Sequence, residues 1–119
     1  MRQVQTTPAS LAQEALLGQA AAAAGTAVLV SDDTLRWVAV NSAACKLLGY
    51  TRDQLLLLRV TDIVERPDSS LLLAARDGDG KIRHGTTGVR RKDGRSFPVQ
   101  YVSAPATVSG LPYVLTLLW

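Results

Sequence analysis

The chain has 119 residues and a formal charge of +3, a length that fits one domain. At 47% hydrophobic and 19% charged residues it is globular rather than disordered, and with 5% aromatic residues its core must rest on Leu, Val and Ala. One cysteine, Cys45, excludes an internal disulfide and a cysteine metal cluster. The longest apolar runs, 20–24 and 55–58, are too short for a membrane span or a signal-peptide core.

In chain order, residues 1–7 read as a polar tail. Residues 10–24 are rich in Ala and Leu and predict a helix, with Ser10 and Gln13 as a capping box, Leu11, Ala15 and Leu16 on one stripe, and Gly25 as its stop. Residues 26–31 and 35–40 predict two strands around turn residues 31–34, a hairpin. Asn41 caps a helix that ends at Gly49. Thr51 and Gln54 form the capping box of a second short helix ending in 55–58. Thr61 or Asp62 opens a further turn through Val64, and 67–70 opens a last helix over 71–75 that stops at Gly78 and Gly80.

The final third is extended. Residues 81–92 predict a strand, Asp93-Gly94 a hairpin turn, and 95–107 a long strand in which Pro98 and Pro105 suggest an edge or a bend. Ser109-Gly110 makes the next turn and 111–119 the last strand. Strands at both ends of a helical block predict an α+β fold with one mostly antiparallel sheet.

Two blocks carry a family resemblance. The first is Val38-Ala39-Val40-Asn41-Ser42-Ala43-Ala44 running into Leu47-Leu48-Gly49-Tyr50-Thr51. The second is Arg91-Lys92-Asp93-Gly94-Arg95-Ser96-Phe97-Pro98-Val99. Together, in this order, they resemble the PAS domain family over 26–119, leaving 1–25 as tail and flanking helix. The resemblance implies a five-stranded antiparallel sheet in the order 2-1-5-4-3. It also implies short helices over one face, a ligand between that face and the helices, and an exit helix and output domain beyond Trp119. That output would be a histidine kinase, a diguanylate cyclase or a transcription regulator.

Strand alternation, with the last strand placed by the family match, sets the faces. Ala27, Leu29 and Ser31, then Gly85, Thr87 and Val89, then Val99, Tyr101 and Ser103, then Val114, Thr116 and Leu118 are expected inward. Ala44, Leu48, Leu58, Ile63 and Leu72 are the expected lid. On this reading no inward residue carries a charge, so the expected ligand is small, mainly apolar and neutral or weakly acidic, its polar end met by the hydroxyls of Thr87, Tyr101, Ser103 and Thr116. The competing reading is a dry, filled core serving only protein–protein contact. Val102, Leu115, Leu117 and Trp119 form an outer apolar patch, to be covered by the 10–24 helix with Leu11, either folded back or swapped in a homodimer.

Haem and flavin are not expected. His84 is the one histidine, and alternation turns it outward. Some light-sensing relatives carry a reactive cysteine in an Asn-Cys-Arg-Phe-Leu-Gln motif; the matching stretch here is Leu58-Arg59-Val60-Thr61-Asp62-Ile63, and Cys45 lies on an earlier helix as a small apolar residue. No set of side chains suggests an enzyme. The basic run Lys81, Arg83, Arg90, Arg91, Lys92 and Arg95 reads as a solvated hairpin face, with nucleic-acid binding not expected. The expected location is the cytoplasm.

Overall fold

A computed structural model describes residues 23–65 and 82–119. Five strands form one antiparallel sheet: β1 (Ala27–Asp32), β2 (Trp37–Val40), β3 (Arg83–Arg90), β4 (Ser96–Val108) and β5 (Leu111–Leu118), in the order β2-β1-β5-β4-β3. Between β2 and β3 lie three short helices, α1 (Ser42–Leu48), α2 (Arg52–Leu55) and α3 (Val60–Ile63). The architecture is the expected one. Leu11 and Leu72 fall outside the described residues, as does most of the expected 10–24 helix.

Local chemistry explains the elements. Asn41 caps α1 by accepting from Ala44 N–H at 2.9 Å. Gly49 ends the helix with φ 79°, in the left-handed region that glycine enters without penalty. Thr51 and Gln54 form the reciprocal capping box on α2. The third helix begins one residue before the expected start. Asp62 sits in its first turn and its carboxylate reaches back to Arg59 N–H at 2.8 Å, so it satisfies the helix start from inside rather than as a cap.

The 31–34 turn is also shifted. Ser31 and Asp32 belong to β1, and the chain reverses just beyond, with Asp32 Oδ1 accepting from Thr34 N–H, Thr34 Oγ1 and Arg36 N–H. Burial alone would raise the Asp32 pKa; these hydrogen bonds together outweigh it and hold the carboxyl below its ordinary value.

The prolines of β4 sit on an interior strand rather than an edge. Gln100 N–H donates to the Trp119 carbonyl, so the missing donor of Pro98, two residues earlier, faces past the end of β5. Pro105 has the opposite parity and faces β3 beyond Arg83, the partner of Ser103. Each proline therefore occurs where β4 is paired on one side only among the described residues.

The helical layer is pinned to both edges of the sheet. At the β2 edge Trp37 N–H donates to Leu58 O at 3.1 Å and Val60 N–H to Leu35 O at 2.7 Å. At the β3 edge Val64 bridges Val89, and Glu65 N–H donates to Gly88 O at 3.0 Å. The core lies between, with Ala44, Leu48, Leu55, Val60 and Ile63 packed on Leu29, Val89, Val99 and Leu118.

Candidate functional site: the inner face of the sheet

The pleat sends alternate residues of β1, β4 and β5 toward the helices. Ala27, Leu29 and Ser31, Val99, Tyr101 and Ser103, and Val114, Thr116 and Leu118 are all buried. On β3, Thr87 and Val89 are buried. Gly85 is exposed at the edge of the sheet, and a Cβ there would lie in ordinary contact with the Tyr101 ring and hydroxyl, at 3.4 Å. Of the expected lid, Ala44, Leu48 and Ile63 are buried and Leu58 is half-buried against the core.

Register arranges these residues in rows. Ser103 pairs with Thr116, which pairs with Leu29 across β5 and β1. Tyr101 pairs with Leu118, and Leu118 with Ala27. Thr87 pairs with Val99 at the far side.

Two hydroxyls on this face stand out. Ser103 is 0% and Thr87 5% exposed, and neither Oγ has a hydrogen-bond partner among the described residues. Native proteins pair nearly all such groups, and an unpaired one loses about 1–3 kcal/mol of solvation. Burial pushes the Tyr101 phenol above its ordinary pKa, against the opposing charge of Arg83.

Two residues of this face escaped the sequence. Arg83 pairs with Ser103 and so belongs to the inward parity of β3. Its Nε is buried, and its charge is felt by Tyr101. The expectation that no inward residue carries a charge is therefore wrong. Alternation from Gly85 would have reached Arg83 had the inward set been carried to the start of the strand. The second residue is Trp37. A bulge at Val30/Ser31 sets Ser31 opposite Trp37 rather than Val38, so Trp37 and Val40 are both buried in a four-residue strand. The Trp37 Nε1 is a third buried polar atom with no partner among the described residues. Simple alternation has no means of finding a bulge.

His84 is exposed and pairs with the outward-facing Val102. Cys45 is half-buried on α1 against the core. Among the described residues no three of His, Cys, Asp and Glu gather as a metal-binding group, and no helix is long and apolar enough to cross a membrane. On the outer face, Val28, Leu117 and Val102 form one cross-strand row and Val30, Leu115 and Ala104 the next. Leu115 and Trp119 are exposed, while Val102 and Leu117 are half-buried.

A five-stranded sheet in this order, holding short helices over an aliphatic face, defines an α+β domain of the PAS class. The family model for the PAS domain matches residues 25–117, and the chain belongs to that family, whose members are sensory and regulatory modules. A comparison with curated protein sequences gives no match. Among solved structures, the chain is similar to a PAS domain from a two-component sensor histidine kinase, at 20% identity, with 92% of this chain and 97% of that one covered and a TM-score of 0.72. It is also similar to the PAS domain of nitrogen regulation protein NR(II) from Vibrio parahaemolyticus, at 19% identity, 87% and 96% coverage and a TM-score of 0.73. A light-oxygen-voltage domain studied with a flavin analogue is similar at 20% identity, 91% and 86% coverage and a TM-score of 0.68. At these identities the structures share a fold.

Proposed function

We infer that residues 26–119 form a sensor domain that holds a small, mainly apolar ligand between the sheet and the helices and passes its presence to an output domain. The observation that carries this reading is the two buried hydroxyls of Thr87 and Ser103, each without a partner among the described residues. A core meant only to be filled would place aliphatic groups there. Thr87 lies opposite Val99 and Ser103 stands four residues further along β4, about 13 Å away at the strand rise, so a ligand's polar end recovers the lost hydrogen bond of one of them while its apolar body packs on Leu29, Val99, Val114 and Thr116. Arg83, opposite Ser103, adds a positive charge near this face, so the polar end is neutral or weakly acidic.

Haem does not suit the site, since His84 faces away from it. Cysteinyl-flavin chemistry does not suit it either, since Cys45 stands on α1 and the reactive motif is missing; a flavin held without a covalent bond would show its own absorbance. We assign the domain no catalytic role and place it in the cytoplasm. Its apolar outer face suits a homodimer, and a kinase, cyclase or transcription regulator suits the output role.

The test is native mass spectrometry of the gently purified chain with an absorbance scan from 350 to ~500 nm, the window in which flavin and haem absorb. A bound organic mass without a haem or flavin band supports the reading. A chain of bare protein mass that no aliphatic or aromatic acid stabilises to heat supports the interaction-only alternative and ends the ligand reading.

A further inference from the structure

The positive charge of this protein is concentrated at one corner, away from the inner face. Lys46, Arg90, Arg91, Lys92 and Arg95 gather with two carboxylates, Glu65 and Asp93, where the end of α1 meets the β3–β4 hairpin. These five cations and two carboxylates leave a local surplus of three, which makes the corner electropositive.

The corner also has a shape. A groove of 350 Å³ is lined by Leu47, Arg91, Arg95, Ser96 and Phe97. Its floor is apolar: Leu47 and Phe97 pack on the core with one side and remain half-exposed on the other. Arg91 is a fixed wall, since its Nη1 donates to the carbonyls of Lys46 at 3.2 Å and Leu47 at 2.5 Å and so closes the end of α1. Arg95 is the movable one. Its side chain is 81% exposed and, among the described residues, is held by Asp93 at 3.2 Å, and such exposed pairs contribute little.

We propose that this groove docks an acidic segment of a partner protein, with one Leu- or Phe-sized side chain seated between Leu47 and Phe97 and flanking carboxylates on Arg95 and Lys92. Charge complementarity selects an acidic occupant. The apolar floor selects a peptide over a nucleic acid, because a phosphate backbone calls for cations along a track, whereas these converge on one small apolar depression. The lined area is small, so docking is weak and serves as one contact of a larger assembly.

The probe is the capped peptide Asp-Asp-Leu-Asp-Asp, titrated into the full chain labelled with nitrogen-15 and followed by amide shifts. The expected shifts cluster at Leu47, Lys92, Arg95 and Phe97. Replacing the central leucine of the peptide by serine weakens binding about tenfold, the loss expected for an unburied leucine. Charge reversal by Lys92→Glu with Arg95→Glu, both exposed, weakens it at least about tenfold without moving the thermal midpoint. Absence of shifts at millimolar peptide, shifts centred elsewhere, or equal binding of the serine peptide overturns the proposal. Tighter binding of oligothymidylate at the same residues also overturns it and assigns the corner to nucleic acid.

Discussion

The Asn41 carboxamide oxygen accepts a hydrogen bond from Val28 N–H at 3.0 Å while it caps α1 through Ala44 N–H. Its amide nitrogen donates to Thr26 O at 3.0 Å. One side chain thus ties the first turn of α1 to the start of β1, across a gap of thirteen residues.

Three hydrogen bonds on one half-buried side chain make Asn41 a sensitive point. Asn41→Ala is expected to destabilise the domain by about 2–4 kcal/mol, a lost cap plus two unpaired backbone groups. Asn41→Asp keeps the cap and the bond from Val28 N–H but turns an acceptor toward Thr26 O, and should fall between. Urea unfolding with unchanged slope checks both.

Removing an unpartnered hydroxyl relieves a penalty. Ser103→Ala should raise the stability of the ligand-free domain by about 1 kcal/mol and weaken ligand binding. Thr116→Leu and Val99→Phe should also lower ligand affinity while the fold survives, since overpacking typically destabilises by about 1–3 kcal/mol. Calorimetric melting and ligand titration read the two effects separately. Unchanged affinity in all three variants would place the ligand elsewhere.

Alkaline behaviour follows from Tyr101. Burial raises its folded-state pKa above the ordinary value of 10.0, so the folded protein keeps the proton longer than the unfolded chain. The stability this contributes is fully present below pH 10.0 and is lost as pH rises through the folded-state value. Tyr101→Phe should flatten that alkaline loss. The difference between the two stability curves above pH 10.0 is the measurement.

At the other end of the scale, Asp32 has its pKa lowered below 3.8 by its turn hydrogen bonds. Its contribution is present above that value and disappears as pH falls through the lower folded-state value. Asp32→Ala should cost about 1 kcal/mol at neutral pH and nothing at the acid end, read from urea midpoints at the two pH values.

The outer face makes an oligomer prediction. Leu115→Glu with Leu117→Glu should leave a folded monomer if this face pairs two chains, because two charges cannot be desolvated there without partners. Sedimentation at micromolar concentration decides it; a wild-type chain that is already monomeric rules the dimer out.

Much of this was legible in the residues. Asn41 as the cap of α1, Gly49, Thr51 with Gln54, and Asp93-Gly94 are local signals whose capping or turn partners lie within a few positions. Alternation then placed Leu29, Val99, Tyr101 and Ser103 on the inner face, and the family resemblance placed Val114 and Thr116 there. The inward place of Arg83 follows from alternation along the expected 81–92 strand. Two things were not legible. The bulge that buries Trp37, with Val38 as the extra residue of β2, depends on which residue of β2 meets Ser31. The groove beneath Arg95 depends on α1 meeting a hairpin more than forty residues away.

By itself, then, the sequence determined the elements, their order and their buried faces, because turn chemistry, capping and the strand period act over short stretches of chain. Only the tertiary structure decided which hydroxyls have no partner among the described residues, which side chain the bulge buries and where the local surplus of charge meets an apolar floor. Those facts are set by the pairing of distant strands and helices, and no local pattern encodes that register.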